Sequence, residues 1–248
     1  MTSLSLPVFS SHKAAQQIRC LLLSTKGVSF PFTAGQFIKL TIPNVNDPRG
    51  DSRFFSITSA PSEQEYLMVA TTISESPFKQ AFAALRTGDT VLVSGPYGKF
   101  VLTNEEDRIH VFLSGGVGIT PFHSILKDAL DRKLPHHIIL FYSNHTPADI
   151  AFKDDLEKFA KENPNLTIVH TITQPEDNNE AMKQFNNRVY WETGRIDEAI
   201  IRKYVNDLSN AIFYICGPPS MVEALTAVVK GMGISEENIK LERFTGYT

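Results

Sequence analysis

Three short segments carry residues whose types and spacing suit chemistry on phosphate-bearing redox cofactors. Gly115-Gly116-Val117-Gly118-Ile119-Thr120-Pro121 directly follows the apolar run at 109–113. Glycines at the end of a strand permit a tight turn and let backbone approach a phosphate closely. The Thr120 hydroxyl suits a helix cap, and Pro121 suits a first helical position, where no amide donor is required. Open amides and the helix dipole then favour a pyrophosphate. The spacing departs from the common G-x-G-x-x-G fingerprint, and a plain strand–turn–helix corner is the alternative. Cys216-Gly217-Pro218-Pro219-Ser220-Met221 repeats the logic after the apolar run at 211–216, with Ser220 as the cap. Ligands of open α/β sheets bind beyond the carboxyl ends of strands, so both glycine turns fall on one ligand-bearing edge. Cys216 taken alone is equally a buried structural cysteine. The third segment, Arg53-Phe54-Phe55-Ser56, sets a guanidinium, two rings and a hydroxyl in a β-like stretch. Its alternative is a strand with two core aromatics.

Those segments need elements to hold them. Residues 1–105 read as β, with strands expected at 16–24, 36–41, 53–58, 66–73 and 90–94. They are short, rich in Val, Ile, Phe and Thr, and separated by turn residues, which points to a closed antiparallel barrel. One helix, expected at 78–85, follows Ser76-Pro77. The polar stretch Asn104-Glu105-Glu106-Asp107 marks the boundary, so domains at 1–105 and 106–248 are expected. Beyond it, apolar strands at 109–113, 138–142, 166–171, 211–216 and 239–244 alternate with helices at 121–132, 150–162 and 220–232. That alternation predicts a parallel sheet covered on both faces, a β-barrel followed by an α/β domain. Residues 175–187 are polar and predict a surface loop.

Bulk properties exclude several classes. The 248 residues carry 24 basic and 27 acidic side chains, a net charge of −3, and no strong field for nucleic acid. No apolar run reaches the roughly 18 residues of a membrane span. The first residues lack a signal peptide's basic start and apolar core, so a cytoplasmic location is expected. Two cysteines, Cys20 and Cys216, are too few for a cysteine-ligated iron–sulfur cluster or a disulfide framework. The histidines, including His136-His137, show no metal-ligand spacing, and no metal is expected.

In their order and spacing the segments suggest a flavin held by one domain and a nicotinamide held by the next. Together they resemble the ferredoxin–NADP⁺ reductase superfamily, from about residue 16 to residue 247, without a fused ferredoxin domain. The resemblance implies that Arg53 pairs with the pyrophosphate of FAD and that Phe55, beside Phe54, lies against the isoalloxazine. Ser56 then hydrogen-bonds near flavin N5. Tyr is commoner at the stacking position, and Phe keeps the ring but loses the hydroxyl. Thr71, Ser76, Phe78 and Lys79 join the flavin site, the last three at the start of the barrel helix, for which a simple structural cap is the alternative. Gly95-Pro96-Tyr97-Gly98 with Phe100 matches the family's barrel end. In the second domain the resemblance assigns the NAD(P)H pyrophosphate and ribose to Gly116, Gly118, Thr120 and Pro121. It sets Cys216 near the nicotinamide, with Gly217, Pro218 and Met221 beside it. The ending Glu242-Arg243-Phe244, then Gly246-Tyr247, resembles the family's carboxy terminus. There Phe244, or else Tyr247, covers the flavin, and Glu242 helps to handle protons; a closing strand with a frayed aromatic end is the alternative.

The implied reaction passes hydride from NAD(P)H to FAD, with Ser56, Cys216, Glu242 and Phe244 closest to it. Asn144 and His145 end the second strand of the sheet, where NAD binders often place an acid and NADP binders an Arg. Neither stands at 143–146. Arg195 is within the range of a 2′-phosphate, and an ordinary ion pair is its alternative. NADH is expected ahead of NADPH. The expected acceptor is a separate redox protein: a ferredoxin, a flavodoxin or an oxygenase component. A flavin reductase with a small-molecule acceptor and a flavin-bearing subunit of a larger complex remain as alternatives.

Overall fold

The computed structural model describes residues 3–175 and 188–244. Tyr247 and residues 176–187, where a surface loop is expected, lie outside them. The chain divides into two compact units. The first comprises residues up to Leu102 together with Thr120–Asp128, and the second comprises Thr103–Ile119 and the chain from Ala129 onward.

The first unit is a six-stranded antiparallel sheet that curls, barrel-like, around one core. Its strands are β1 (Leu4–Lys13), β2 (Ile18–Ser24), β3 (Phe37–Thr41), β4 (Ser52–Ser56), β5 (Tyr66–Thr72) and β6 (Thr90–Tyr97), in the order β4-β3-β6-β1-β2-β5. Alternate residues of every strand turn inward to a shared cluster that includes Leu6, Leu21, Ile38, Phe55, Val69 and Val91. Helix α1 (Pro77–Ala84) adds Phe78 and Phe82 to it. Strand β1 is absent from the sequence expectation for a physical reason. Its register shifts between Val8 and Ser10, and Phe9 stays 60% exposed, so period-two alternation breaks midway.

The second unit is a six-stranded, wholly parallel sheet. Its strands are β7 (Ile109–Gly115), β8 (His137–Asn144), β9 (Leu166–Ile172), β10 (Val189–Thr193), β11 (Ala211–Gly217) and β12 (Ile239–Arg243), in the order β10-β9-β8-β7-β11-β12. The central strands are almost entirely buried, which is why they read as continuous apolar runs. The remaining helices are α2 (Ile119–Asp131), α3 (Lys153–Glu162), α4 (Glu198–Tyr204) and α5 (Pro219–Gly231). Edge strand β10 and the short α4 are additions to the expectation.

Helix starts differ from the sequence expectation in three places. A 3₁₀ turn at Gly116–Gly118 runs straight into α2, so Thr120 and Pro121 lie inside the helix instead of capping it. Helix α5 begins at Pro219 after Pro218, and Ser220 is not its cap. Helix α3 begins at Lys153, not at 150, because Thr146 and Asp149 close a separate capped turn and Phe152 takes a left-handed φ of 57°.

Candidate functional site

In the first unit the expected flavin residues gather around α1. Ser76 caps the helix, its hydroxyl accepting from the Lys79 amide at 3.3 Å. Pro77 offers no amide. The Phe78 amide donates to Asp47 Oδ2 at 3.1 Å. Asp47 also accepts the Arg49 amide at 2.9 Å through Oδ1, and Arg53 Nη2 lies 2.8 Å from the same oxygen. These contacts, the Arg49 amide foremost, hold the Asp47 carboxyl below the usual carboxylate range. Arg53 Nη1 donates to the carbonyls of Arg49, Gly50 and Ser52, and its guanidinium lies 4.8 Å from the Phe78 ring centre. Arg53 is therefore bound within its own loop, where an open phosphate ligand is expected from the motif.

Phe55 departs further from its expected place. It is 8% exposed and stacks on Phe82 at 5.4 Å and on Phe78 at 6.1 Å. The exposed ring is Phe54, at 64%, set edge-on to Phe37 at 5.5 Å and Tyr97 at 6.4 Å. Strand alternation explains the swap: Phe55 shares the register of the core residue Ile38, and Phe54 that of exposed Lys39. Ser56 and Thr71 are buried at 5% and 6% exposure. Lys79 is half-buried, and burial first, then Arg49 and Arg53, lowers its pKa. Arg53 pairs with the Asp47 carboxylate, and Arg49 and Arg53 both bear on the Lys79 charge, so three cations share a neighbourhood that favours an anion and fits the phosphates of a dinucleotide.

In the second unit, register builds one row of side chains across the sheet. Glu242 pairs with Cys216, Cys216 with Ser114, Ser114 with Tyr142, Tyr142 with His170 and His170 with Trp191. Motif reading found two neighbours at one end of this row, Cys216 and Glu242. The middle is visible only once the strands are aligned. Cys216 is fully buried, and burial, then the Glu242 charge, pushes its thiol pKa up.

The glycine turns divide their work. A Cβ on Gly118 would stand 2.5 Å from the Cys216 carbonyl oxygen and 2.8 Å from Gly217 Cα. Gly118 therefore lets the turn close onto the end of β11. Gly116 has a φ of +52° and open space beside it. Its carbonyl accepts from the Tyr142 hydroxyl at 2.9 Å, a brace that the motif did not reveal. Met221 fills the gap between Gly115 and Gly217, and Phe244 donates its amide to the Gly217 carbonyl at 3.2 Å.

At the carboxyl ends of β7, β8 and β9, Ser114 Oγ, both side-chain polar atoms of Asn144 and Thr171 Oγ1 are buried without hydrogen-bond partners. Such groups cost about 1–3 kcal/mol each unless a ligand satisfies them, and they fit a hydroxyl-rich nucleotide. His145 is exposed, its Nδ1 3.0 Å from Thr173 Oγ1, and Arg195 is exposed just after β10.

Comparisons with known proteins agree with this architecture. Residues 112–227 match the oxidoreductase NAD-binding domain family. One component of the Na(+)-translocating NADH-quinone reductase of Pseudoalteromonas atlantica is 28% identical over 96% of this chain and 67% of its own length. The reductase component of phenol 2-monooxygenase from Pseudomonas sp. is 28% identical, over 86% of this chain and 58% of its own. The chain thus spans between about half and two thirds of the curated relatives it matches. The crystal structure of Amycolatopsis cytochrome P450 reductase GcoB superposes with a TM-score of 0.81 at 25% identity, covering 98% of this chain and 70% of that one. A ferredoxin NADP⁺ reductase from Neisseria gonorrhoeae, solved with FAD and NADP, shares the fold at a TM-score of 0.77 and 21% identity, covering 98% and 99%. The chain thus carries an oxidoreductase NAD-binding domain and shares its two-unit fold with ferredoxin reductase-like flavoproteins.

Proposed function

We propose that the protein is an FAD-dependent reductase that draws electrons from NADH and passes them to a separate redox protein. The single observation that carries this is the pairing, in one chain, of an anion-favouring cluster on a barrel with unsatisfied polar groups at the ends of a parallel sheet. Bound FAD supplies hydride acceptance and one-electron release. The protein's own residues orient and seal. Ser76 fixes the start of α1, and exposed Phe54 offers a ring face in place of buried Phe55. Gly116 and Gly118 shape the nucleotide turn, with Asn144, Ser114 and Thr171 as partners for ribose and carboxamide groups. Cys216 keeps the nicotinamide floor small and uncharged. Glu242, beside it in register, is the nearest candidate for holding a proton.

NADH is preferred to NADPH because Asn144 and His145 bring no fixed cation to the end of β8. Arg195 is the one residue assigned to test that preference. Among the described residues no helix is long and apolar enough to cross a membrane. We place the protein in the cytoplasm. The oxygenase reductase and the quinone reductase component among its relatives support an acceptor that is another protein or subunit. Steady-state turnover with NADH or NADPH, against ferredoxin, flavodoxin or free flavin, tests this. Faster turnover with NADH and a protein acceptor supports it. Turnover with free flavin alone moves the function to a flavin reductase.

A further inference from the structure

We propose that His123 and Ser124, in the first turns of α2, are positioning residues for the flavin, because they fix the backbone that follows Ser56. This rests on the flavin reading above and adds to it two residues that lie outside every motif assigned to the flavin. Strand β4 ends at Ser56, whose ladder partner is Phe37. Beyond it, Ile57, Thr58 and Ser59 are fully buried. Their backbone groups cannot reach water and need partners inside the protein. The Ile57 amide donates to the Gln36 carbonyl at 2.9 Å, and the Thr58 amide to the Met68 carbonyl at 2.7 Å. The Met68 amide donates in return to Ser59 Oγ at 3.0 Å.

The next two carbonyls are taken by side chains of α2, whose stretch Thr120–Asp128 belongs to the same compact unit as the barrel. His123 Nδ1 lies 2.8 Å from the Thr58 carbonyl oxygen, and Ser124 Oγ donates to the Ser59 carbonyl at 2.6 Å. A carbonyl only accepts, so Nδ1 carries the ring proton in this contact. His123 and Ser124 are themselves buried. Thr58 Oγ1 is buried without a hydrogen-bond partner, so the backbone, not the Thr58 hydroxyl, carries the hold. Ser56 thus stands between the β3 ladder on one side and a clamped backbone on the other. Losing either donor strands a buried carbonyl, and relief requires the 57–59 backbone to turn and Ser56 to turn with it. Hydride transfer tolerates little misplacement, so a small turn there is read in the rate.

Anaerobic stopped-flow reduction of the FAD-loaded full chain by NADH tests this, with the visible flavin spectrum and the melting temperature recorded beforehand. His123→Leu and Ser124→Ala are each expected to shift the flavin absorption and to slow reduction about tenfold, with the NADH concentration at half-maximal rate unchanged. His123→Asn keeps a side-chain N–H near the place of Nδ1 and is expected to recover most of the rate. A merely structural pair lowers the melting temperature and leaves spectrum and rate at wild-type values in variants that retain FAD, and that result overturns the inference. So does a His123→Asn rate no higher than that of His123→Leu. Ser124→Ala removes a single oxygen and carries the test if His123→Leu does not fold. A wild-type chain that takes up no FAD overturns the flavin reading itself, and the inference with it.

Discussion

At the start of α1, the barrel unit supplies partners for its own donors. Pro77 has no amide, Asp47 accepts from Phe78 and Ser76 accepts from Lys79. At the ends of β7, β8 and β9, the α/β unit leaves Ser114, Asn144 and Thr171 buried and unsatisfied. The two regions solve different problems. A cofactor that stays can sit on a site whose internal bonds are complete, held by charge at its rim. A nucleotide that binds and leaves is drawn by groups whose hydrogen bonds exist only in the complex. Binding then regains the burial cost of each group, about 1–3 kcal/mol.

The sharpest way to break this contrast is at the glycines of the nucleotide turn. Gly118→Ala sets a Cβ 2.5 Å from backbone that cannot yield, so a loss of several kcal/mol in stability and loss of nucleotide binding are expected. Gly116→Ala meets open space and only a left-handed φ of +52°, and about 1–2 kcal/mol is expected. Urea unfolding with a nucleotide titration checks both. Equal effects would mean that the two glycines do not divide their work as their surroundings imply.

Acid sharpens the contrast within the α/β unit. His170 is fully buried, and burial first, then Lys153, pushes its pKa down from 6.5 to about 3. The unfolded chain binds a proton from pH 6.5 downward and the folded chain does not until about 3. Stability is thus lost as pH falls through that window. His170→Leu is expected to flatten the fall in urea midpoint between about pH 6.5 and about pH 4. An unchanged slope would assign the acid sensitivity elsewhere, with His110, whose pKa is about 4, as the next group to test.

The smallest effect belongs to the barrel. Ser76→Ala removes the cap of α1 and is expected to cost about 1 kcal/mol, or about 2–4 °C in melting temperature. A larger loss in FAD affinity than in stability would mean that Ser76 touches the phosphates directly.

These regions also differ in how legible they are in sequence. The parallel sheet and both glycine turns are readable, because central strands buried on both faces leave long apolar runs. Ser76 is readable as a cap from Ser-Pro before a helix. Strand β1 is hidden by its bulge. Phe54 and Phe55 are ambiguous because identical neighbours erase the parity that separates inside from outside. The hold of Asp47 on Arg53 and Phe78 joins residues distant in sequence, and no local pattern records it. Ser114, Tyr142 and His170 fall into one row only after parallel strands are registered.

The most direct test is an anaerobic titration of the FAD-loaded protein with NADH and then NADPH, watching the visible flavin spectrum. Bleaching near one equivalent of NADH, faster than with NADPH, is expected of a reductase built in this way. A loaded flavin that stays oxidised with both nicotinamides would contradict it.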